Sequence, residues 1–206
     1  LDSMEARVQG CVTCHGQSGQ GTSDGYFPRI AGKPAAYLYN QLLNFPDGRR
    51  RNAAMGHLLA HLSDDYLREM AEYFAALELP YPAPQGSDAS PSTLDRGEAL
   101  VRHGDPVRSL PACVECHGQE LTGVEPAVPG LLGLPRDYLA GQLGAWKNGM
   151  RHAHAPDCMA EIADRLSPGD VSALVNWLPP QPVSSVGRPA IAGPVEPSTP
   201  CGGVPR

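Results

Sequence analysis

The sequence lacks a long apolar run, an excess of basic residues and a large number of aromatic side chains. Its apolar stretches, such as Leu58-Leu59-Ala60, end within a few positions, whereas a membrane-spanning helix needs roughly 18 apolar residues in a row. The formal net charge is −6, from 16 Lys and Arg against 22 Asp and Glu, and without a basic stripe no nucleic-acid partner is expected. Only 6% of the 206 residues are aromatic, so two ordinary apolar cores would be hard to fill from side chains alone.

Cysteine is also scarce, but its placement is specific. Four of the six cysteines form two Cys-x-x-Cys-His motifs, Cys11-Val12-Thr13-Cys14-His15 and Cys113-Val114-Glu115-Cys116-His117. In such a motif the two thiols lie one helical turn apart, where they can form thioethers with the two vinyl groups of haem, and the adjacent imidazole can reach the iron. The sequence therefore predicts two covalently attached haem c groups, with His15 and His117 as iron ligands.

A zinc site and a dithiol redox pair are the alternatives for these cysteines. The cysteine pairs of zinc ribbons usually lie about 15–20 residues apart, whereas residues 15–112 separate the two pairs here. Zinc also does not explain why a histidine follows each pair. Because haem is attached covalently outside the cytoplasm, we expect a periplasmic protein. The chain begins at Leu1-Asp2-Ser3 without the regions typical of an export signal, so we expect that signal to have been removed or left out of this sequence.

The similarity between the two halves continues well beyond the haem motifs. The matched positions of the first copy are Pro28, Gly32, Pro34, Tyr37, Leu38, Gln41, Leu42, Phe45, Gly48 and Met55. Their counterparts in the second copy are Pro129, Gly133, Pro135, Tyr138, Leu139, Gln142, Leu143, Trp146, Gly149 and Met159. In each copy the methionine lies seven residues before a Leu-Ser pair. This repeat predicts two domains produced by internal duplication.

The local patterns within each copy are helical, and no strand is predicted. In each copy a proline is expected in the first turn of a helix and a serine is expected to cap the last helix. The prolines are Pro34 and Pro135, and the serines are Ser63 and Ser167. Thr93-Leu94-Asp95 is predicted to cap a further helix that ends at His103. We therefore predict an all-α fold.

The composition along the chain predicts the domain boundaries. We place the first haem domain at residues 1–79 and the second at residues 93–178, with a proline-rich linker at 80–92 between them. Residues 179–206 contain many prolines, few apolar side chains and no periodicity. They are therefore predicted to form an extended tail rather than a third domain.

These motifs together resemble the dihaem cytochrome c₄ family, in which two class I cytochrome c domains occur in tandem. The resemblance covers the chain except for its tail. It implies His/Met ligation of both irons, with the carbonyls of Pro28 and Pro129 facing the proximal imidazoles and the haem edges meeting across a pseudo-twofold interface. It also implies that Arg50 and Arg151, two positions after Gly48 and Gly149, face the haem propionates.

Five methionines compete for the two distal positions that the resemblance implies: Met4, Met55, Met70, Met150 and Met159. A thioether is a soft neutral ligand that suits both ferrous and ferric iron and raises the reduction potential. Met70 lies on the apolar face of a helix, and Met4 has no counterpart in the second copy, so Met55 is predicted for the first iron. Met159 is predicted for the second, because its distance to the Leu-Ser pair matches that of Met55.

The second copy has three extra residues between its glycine and its methionine. This loop offers His152, His154 and Cys158 as rival iron ligands, although we interpret both histidines as solvated. Haem attachment leaves Cys158 and Cys201 as the remaining pair, which is predicted to form a disulfide in an oxidising compartment. A free thiol, an intermolecular disulfide and iron-bound Cys158 are the alternatives.

The leading functional hypothesis is a carrier that relays single electrons between respiratory or dehydrogenase partners, such as an oxidase or a dehydrogenase. Two alternatives remain at this point. One is an enzyme resembling the dihaem thiosulfate dehydrogenases, in which one iron has a cysteine as distal ligand, and Cys158 is the candidate. The other is the cytochrome subunit of a larger dehydrogenase, whose haem domains would look the same.

Overall fold

The first copy of the repeat forms five helices within the part of the chain that the computed structural model describes, residues 3–183, 187–191 and 199–204. They are α1 (Met4–Arg7), α2 (Gln9–His15), α3 (Ala35–Asn44), α4 (Ala53–Leu59) and α5 (Asp64–Ala75). The apolar faces of α3 and α5 pack together, and Leu38, Leu67 and Phe74 are buried between them.

The second copy repeats this arrangement with a longer first helix. Its helices are α6 (Pro91–His103), α7 (Cys113–His117), α8 (Arg136–Lys147), α9 (Cys158–Arg165) and α10 (Pro168–Trp177), with a 3₁₀ turn at Pro106–Arg108. The α6 and α10 helices form its main contact, and a separate core includes Leu100, Val101 and Leu174. The all-α prediction is therefore confirmed.

Of the predicted helix starts, the two serine caps are confirmed, the two prolines are displaced by one position, and the Thr93 cap is wrong. The hydroxyls of Ser63 and Ser167 accept hydrogen bonds from the third residue of α5 and α10. The prolines lie one position earlier than predicted, at the N-caps of α3 and α8. Helix α6 begins at Pro91 rather than near Thr93, because Ser90 is its cap and accepts a hydrogen bond from Thr93 N at 3.2 Å. The helix thus includes the last residues of the predicted linker.

A small strand pair was not predicted. Strands β1 (Gly123–Val124) and β2 (Val128–Pro129) form an antiparallel ladder, and Ala190 from the tail makes a parallel bridge to Val124. Two-residue strands contain no alternation that a sequence pattern could reveal. The ladder nevertheless positions the carbonyl of Pro129, which belongs to the second haem site.

The two copies contact each other through equivalent segments. Arg50 and Arg151 form an antiparallel backbone bridge, and Arg51 N donates to Met150 O at 2.8 Å. Within the described residues, no helix is long and apolar enough to cross a membrane.

Candidate haem sites

Each haem motif lies on a short helix that ends at its histidine. Helix α2 ends at His15 and α7 ends at His117, and both imidazoles are buried. The Nδ1 of His15 lies 2.8 Å from Pro28 O, and that of His117 lies 2.7 Å from Pro129 O. A proton on Nδ1 can be donated to each carbonyl, which leaves Nε2 with a lone pair for a metal.

The titration behaviour of these groups also fits haem attachment. Burial lowers the pKa of both His15 and His117, so both imidazoles are neutral and can ligate iron near neutral pH. Burial raises the pKa of the Cys113 thiol to about 12, with a smaller contribution from Cys116. A reactive redox thiol needs a lowered pKa, so the dithiol alternative loses support.

A cavity of about 450 Å³ lies beside the second motif. It is lined by Cys113, Cys116, His117 and Met159, so the structure brings these predicted site residues together. Trp146 Nε1 is buried at the cavity and lacks a hydrogen-bond partner among the described residues. A buried N–H without a partner is costly, and an acceptor group on a bound molecule would satisfy it.

The positions and burial of the methionines separate the two predicted iron ligands from the others. Met55 lies in α4, half-buried against the same apolar cluster as Cys11, and Met159 lies in α9. Met70 is a core residue at 3% exposure, whereas Met150 is 44% exposed. The positions of Met55 and Met159 therefore remain compatible with the predicted iron ligation, which stays a prediction.

Arg50 and Arg151 lie face to face at the contact between the two copies. Arg50 donates to Gln41 Oε1 at 3.0 Å and to Gln142 Oε1 at 2.9 Å. Arg151 donates to the same two oxygens at 3.2 and 2.6 Å. The repeat in the sequence contains both arginines and both glutamines, but only the structure shows that each glutamine binds both guanidinium groups.

This cluster has a strong excess of positive charge. Arg50 and Arg151 also donate to the hydroxyls of Tyr138 and Tyr37 at 3.3 and 3.2 Å, and Lys33 lies at the same cavity. None of the three cations has a carboxylate partner in the described ranges of the chain. Burial opposes ionisation of Tyr37, but the cations outweigh it and lower the pKa of its hydroxyl to about 8. Bound anions would compensate this positive charge, and the two carboxylates of a haem, its propionates, are suitable anions.

The rival ligands of the second-copy loop, His152, His154 and Cys158, also line the cavity beside the second motif. Cys158 forms a disulfide with Cys201, as predicted, so its sulfur is not an iron ligand in this arrangement. His152 is exposed, but His154 is half-buried and its Nε2 lies 3.5 Å from Arg49 Nη2, so the prediction that both are solvated is wrong for His154. Among the described residues, no cluster of three His, Cys, Asp or Glu could hold a metal ion.

Comparison with known proteins identifies the family. Residues 6–75 match the family model described as Cytochrome c. Cytochrome c4 from Pseudomonas aeruginosa is 33% identical over 176 residues, which cover 84% of this chain and 85% of that protein. The chain belongs to the cytochrome c₄ family. It therefore has two covalently attached haem c groups, at Cys11/Cys14 and Cys113/Cys116, and is a dihaem electron-transfer cytochrome.

Two further relatives of this cytochrome c₄ are named after a dehydrogenase. The "Thiosulfate dehydrogenase electron acceptor" of Thiomonas intermedia (strain K12) is 36% identical over 177 residues, which cover 84% of this chain and 79% of that protein. The solved structure of "Thiosulfate dehydrogenase (TsdBA)" from Marichromatium purpuratum matches with a TM-score of 0.75 and 34% identity over 85% of this chain. This cytochrome spans only 37% of that longer chain.

Proposed function

We propose that this cytochrome c₄ accepts single electrons from a thiosulfate dehydrogenase in the periplasm and passes them to a further redox protein. The observation that carries the proposal is the 36% identity, over most of both chains, with a protein named as the electron acceptor of that enzyme. The cytochrome c₄ of Pseudomonas aeruginosa is slightly less similar to this chain than that electron acceptor is. This difference in identity favours a thiosulfate dehydrogenase as the electron donor. An oxidase or another dehydrogenase, the partners considered from the sequence, become candidates for the acceptor.

In this proposal each side chain of the haem sites has one task. The cysteine pairs attach the haem, whose iron supplies a one-electron couple. His15 and His117 ligate on one side, and the carbonyls of Pro28 and Pro129 hold their Nδ1 protons and so orient the rings. Met55 and Met159 ligate on the other side.

Arg50 and Arg151, with Lys33, neutralise the propionates at the contact between the two copies. Since both arginines lie at this contact, haems held by them would lie near the boundary between the domains, which would favour electron transfer from one domain to the other. With His15 and Met55 as ligands of one iron and His117 and Met159 as ligands of the other, neither iron would offer a site for thiosulfate. We therefore propose that the protein carries electrons and is not itself the dehydrogenase.

The test is the reduction of the ferric protein under anaerobic conditions, followed by visible absorption. We expect rapid reduction by thiosulfate when a purified thiosulfate dehydrogenase is present in catalytic amount, and none by thiosulfate alone. Reduction by thiosulfate alone would support the enzyme alternative and contradict the carrier. No reduction in either case would contradict the proposed donor.

A stable complex is the second candidate, favoured by the relative in which the matched region is part of a longer chain. Size-exclusion chromatography of the two proteins together distinguishes the candidates. A free carrier elutes separately from the dehydrogenase, whereas a subunit elutes with it.

A further inference from the structure

Two features that follow the second haem motif have no counterpart in the first copy, and the structure brings them together. One is the three-residue insertion before Met159, and the other is the tail. Cys158 from the insertion loop and Cys201 from the tail form a disulfide across a sequence separation of 43. Gly202 N also donates to Pro156 O at 2.9 Å. The insertion therefore provides the surface on which the tail binds.

The contact at Gly202 is made by backbone against backbone. A Cβ at this position would lie 2.1 Å from Ala155 O and 2.7 Å from His154 O, far inside van der Waals contact. Only glycine therefore lets the tail lie this close to the loop. The neighbouring Gly203 differs, because a Cβ there would meet only Asn40 Nδ2, at an ordinary 3.6 Å.

The same segment forms part of the second haem cavity. Thr199, Pro200, Cys201, Gly203 and Val204 line it together with Met159. Asn40 of α3, in the first copy, donates to Gly203 O at 2.9 Å. The segment is thus tied covalently to the first residue of α9, which is adjacent to Met159, and by a hydrogen bond to the other domain.

We propose that the segment 199–204 is a positioning element of the second haem site, which holds the loop and Met159 in place and shields the methionine side of the cavity from competing ligands. The proposal rests on the proposed ligation of the second iron by Met159. Among the described residues, the first copy has no such element. Its helix α4, which carries Met55, is correspondingly open to solvent, since Leu58 on this helix is 53% exposed. The two sites should therefore differ in how readily an external ligand replaces methionine.

The physical reason is that ligand exchange requires the methionine to leave the iron, which requires its loop to move. A covalent link that joins the loop to the cavity wall restricts that motion, and the wall itself limits access. Both effects act at the second site and neither acts at the first. The segment is a positioning element, since its residues are not proposed to touch the iron.

The experiment is an imidazole titration of the ferric protein, followed by the near-infrared charge-transfer band of methionine-bound iron. Three variants are compared with the unmodified chain: the Cys158→Ser/Cys201→Ser double variant, Gly202→Ala and Gly141→Ala. In the double variant we expect half of the band to be lost at an imidazole concentration at least tenfold lower, while the other half titrates as before. Gly202→Ala should shift the same half. Gly141→Ala is the control that should shift neither, because Gly141 is exposed, does not line the cavity and has no atom within 4 Å of an added Cβ.

Three results would overturn the proposal. Unchanged titration in the double variant would show that the segment does not protect the site, and an equal shift in both halves would indicate general loosening of the fold. A shift in Gly141→Ala equal to that in Gly202→Ala would show that the close contact at Gly202 has no specific role. If the unmodified protein shows no methionine band from the second haem, ligation of the second iron by Met159 is wrong. This result is read before any variant is made, so it is distinguished from a result in which Met159 ligates the iron but the segment 199–204 does not protect it.

Discussion

Lys33 is a cation near the haem sites that has no charged counterpart in the other copy. Its counterpart in the repeat is Leu134, yet Lys33 belongs to the first copy and lines the cavity of the second. Burial lowers the pKa of its ammonium group, and Arg50 and Arg151 add to that effect while Tyr37 opposes it. A cation in this position stabilises the more negative, reduced state of the nearest haem.

We predict that Lys33→Gln lowers the reduction potential of the second haem more than that of the first. Loss of one unit charge near the site changes the free energy of reduction by on the order of 1 kcal/mol, which corresponds to roughly 40 mV for a one-electron couple. Spectroelectrochemical titration measures both potentials. Arg51→Gln, at an exposed neighbour of the cluster, is the control, and an equal shift in both haems would contradict the prediction.

A substitution of Met55 tests which residue is the distal ligand of the first iron. We predict that Met55→Ala retains two haems but loses about half of the near-infrared methionine band, because only one of the two proposed thioether ligands is removed. Met150→Ala, at an exposed methionine, should leave the band intact. A full band in Met55→Ala would show that another residue ligates the first iron.

At the scale of elements, the second domain depends on the close approach of α6 and α10. A Cβ on Gly97 would lie 2.5 Å from Ala173 O and 2.6 Å from Trp177 Cβ. No larger residue fits without moving one helix away from the other. The helix-propensity cost of glycine is therefore offset by the packing that its small size allows.

We predict that Gly97→Ala lowers the free energy of unfolding by about 2 kcal/mol, since overpacking outweighs the gain in helix propensity. Gly141→Ala is the matched control. It lies in α8, is exposed and has no atom within 4 Å of the added Cβ, so it should be neutral or stabilising by up to about 1 kcal/mol. Guanidinium unfolding followed by far-ultraviolet circular dichroism measures both, and a Gly97→Ala protein as stable as the control would contradict the packing argument.

Asp170 joins α10 to α6 and to the 3₁₀ turn. It is buried and accepts from Arg96 Nε at 2.9 Å and from Arg108 Nη1 at 2.7 Å, while Ser167 N and Oγ donate to it as well. Burial opposes ionisation, but the hydrogen bonds from Arg108, Ser167 and Arg96 outweigh it and hold the pKa of this carboxyl well below its usual range.

A depressed pKa in the folded state means that ionised Asp170 stabilises the fold above about pH 4, and that this stabilisation is lost as the pH falls from there through the folded pKa. We predict that Asp170→Asn lowers the free energy of unfolding by about 2 kcal/mol at pH 7, a value reduced for the partial exposure of both arginines. The difference from the unmodified protein should shrink at pH 3. Asp164→Asn, at an exposed position of α9, is the control, and a difference that is the same at both pH values would contradict the assignment.

At the scale of the whole molecule, the net charge of −6 favours partners with positive surfaces. We predict that the second-order rate of electron exchange with a lysine-rich redox protein falls as salt rises from about 10 mM to 500 mM, because the Debye length shortens from roughly 30 Å to less than 5 Å. Stopped-flow absorption measures this rate, with a small uncharged reductant as the control. A rate with the protein partner that does not depend on salt would contradict charge steering.

The cofactor, the duplication and the helical class could be predicted from the sequence because each depends on short, local patterns. Attachment of haem needs two thiols and an imidazole within five residues, and a capping serine acts on a backbone group three positions away. The disulfide could be predicted by counting, because haem attachment uses four of the six cysteines and leaves one pair. The start of α6 was missed because Ser90 and Thr93 both suit a cap, and only the backbone geometry distinguishes them.

The arrangement between the domains was decided by the tertiary structure. The sequence identified Arg50 and Arg151 as equivalents, but it did not indicate that they would face each other and share two glutamines. It also did not indicate that Lys33 lies at the cavity of the other copy, or that residues 199–204 form a wall of that cavity. These contacts join residues more than 100 positions apart in some cases, such as Asn40 and Gly203 at a separation of 163. Such pairs leave no periodic or spacing signal in one sequence, because they depend on how two separately formed cores pack against each other.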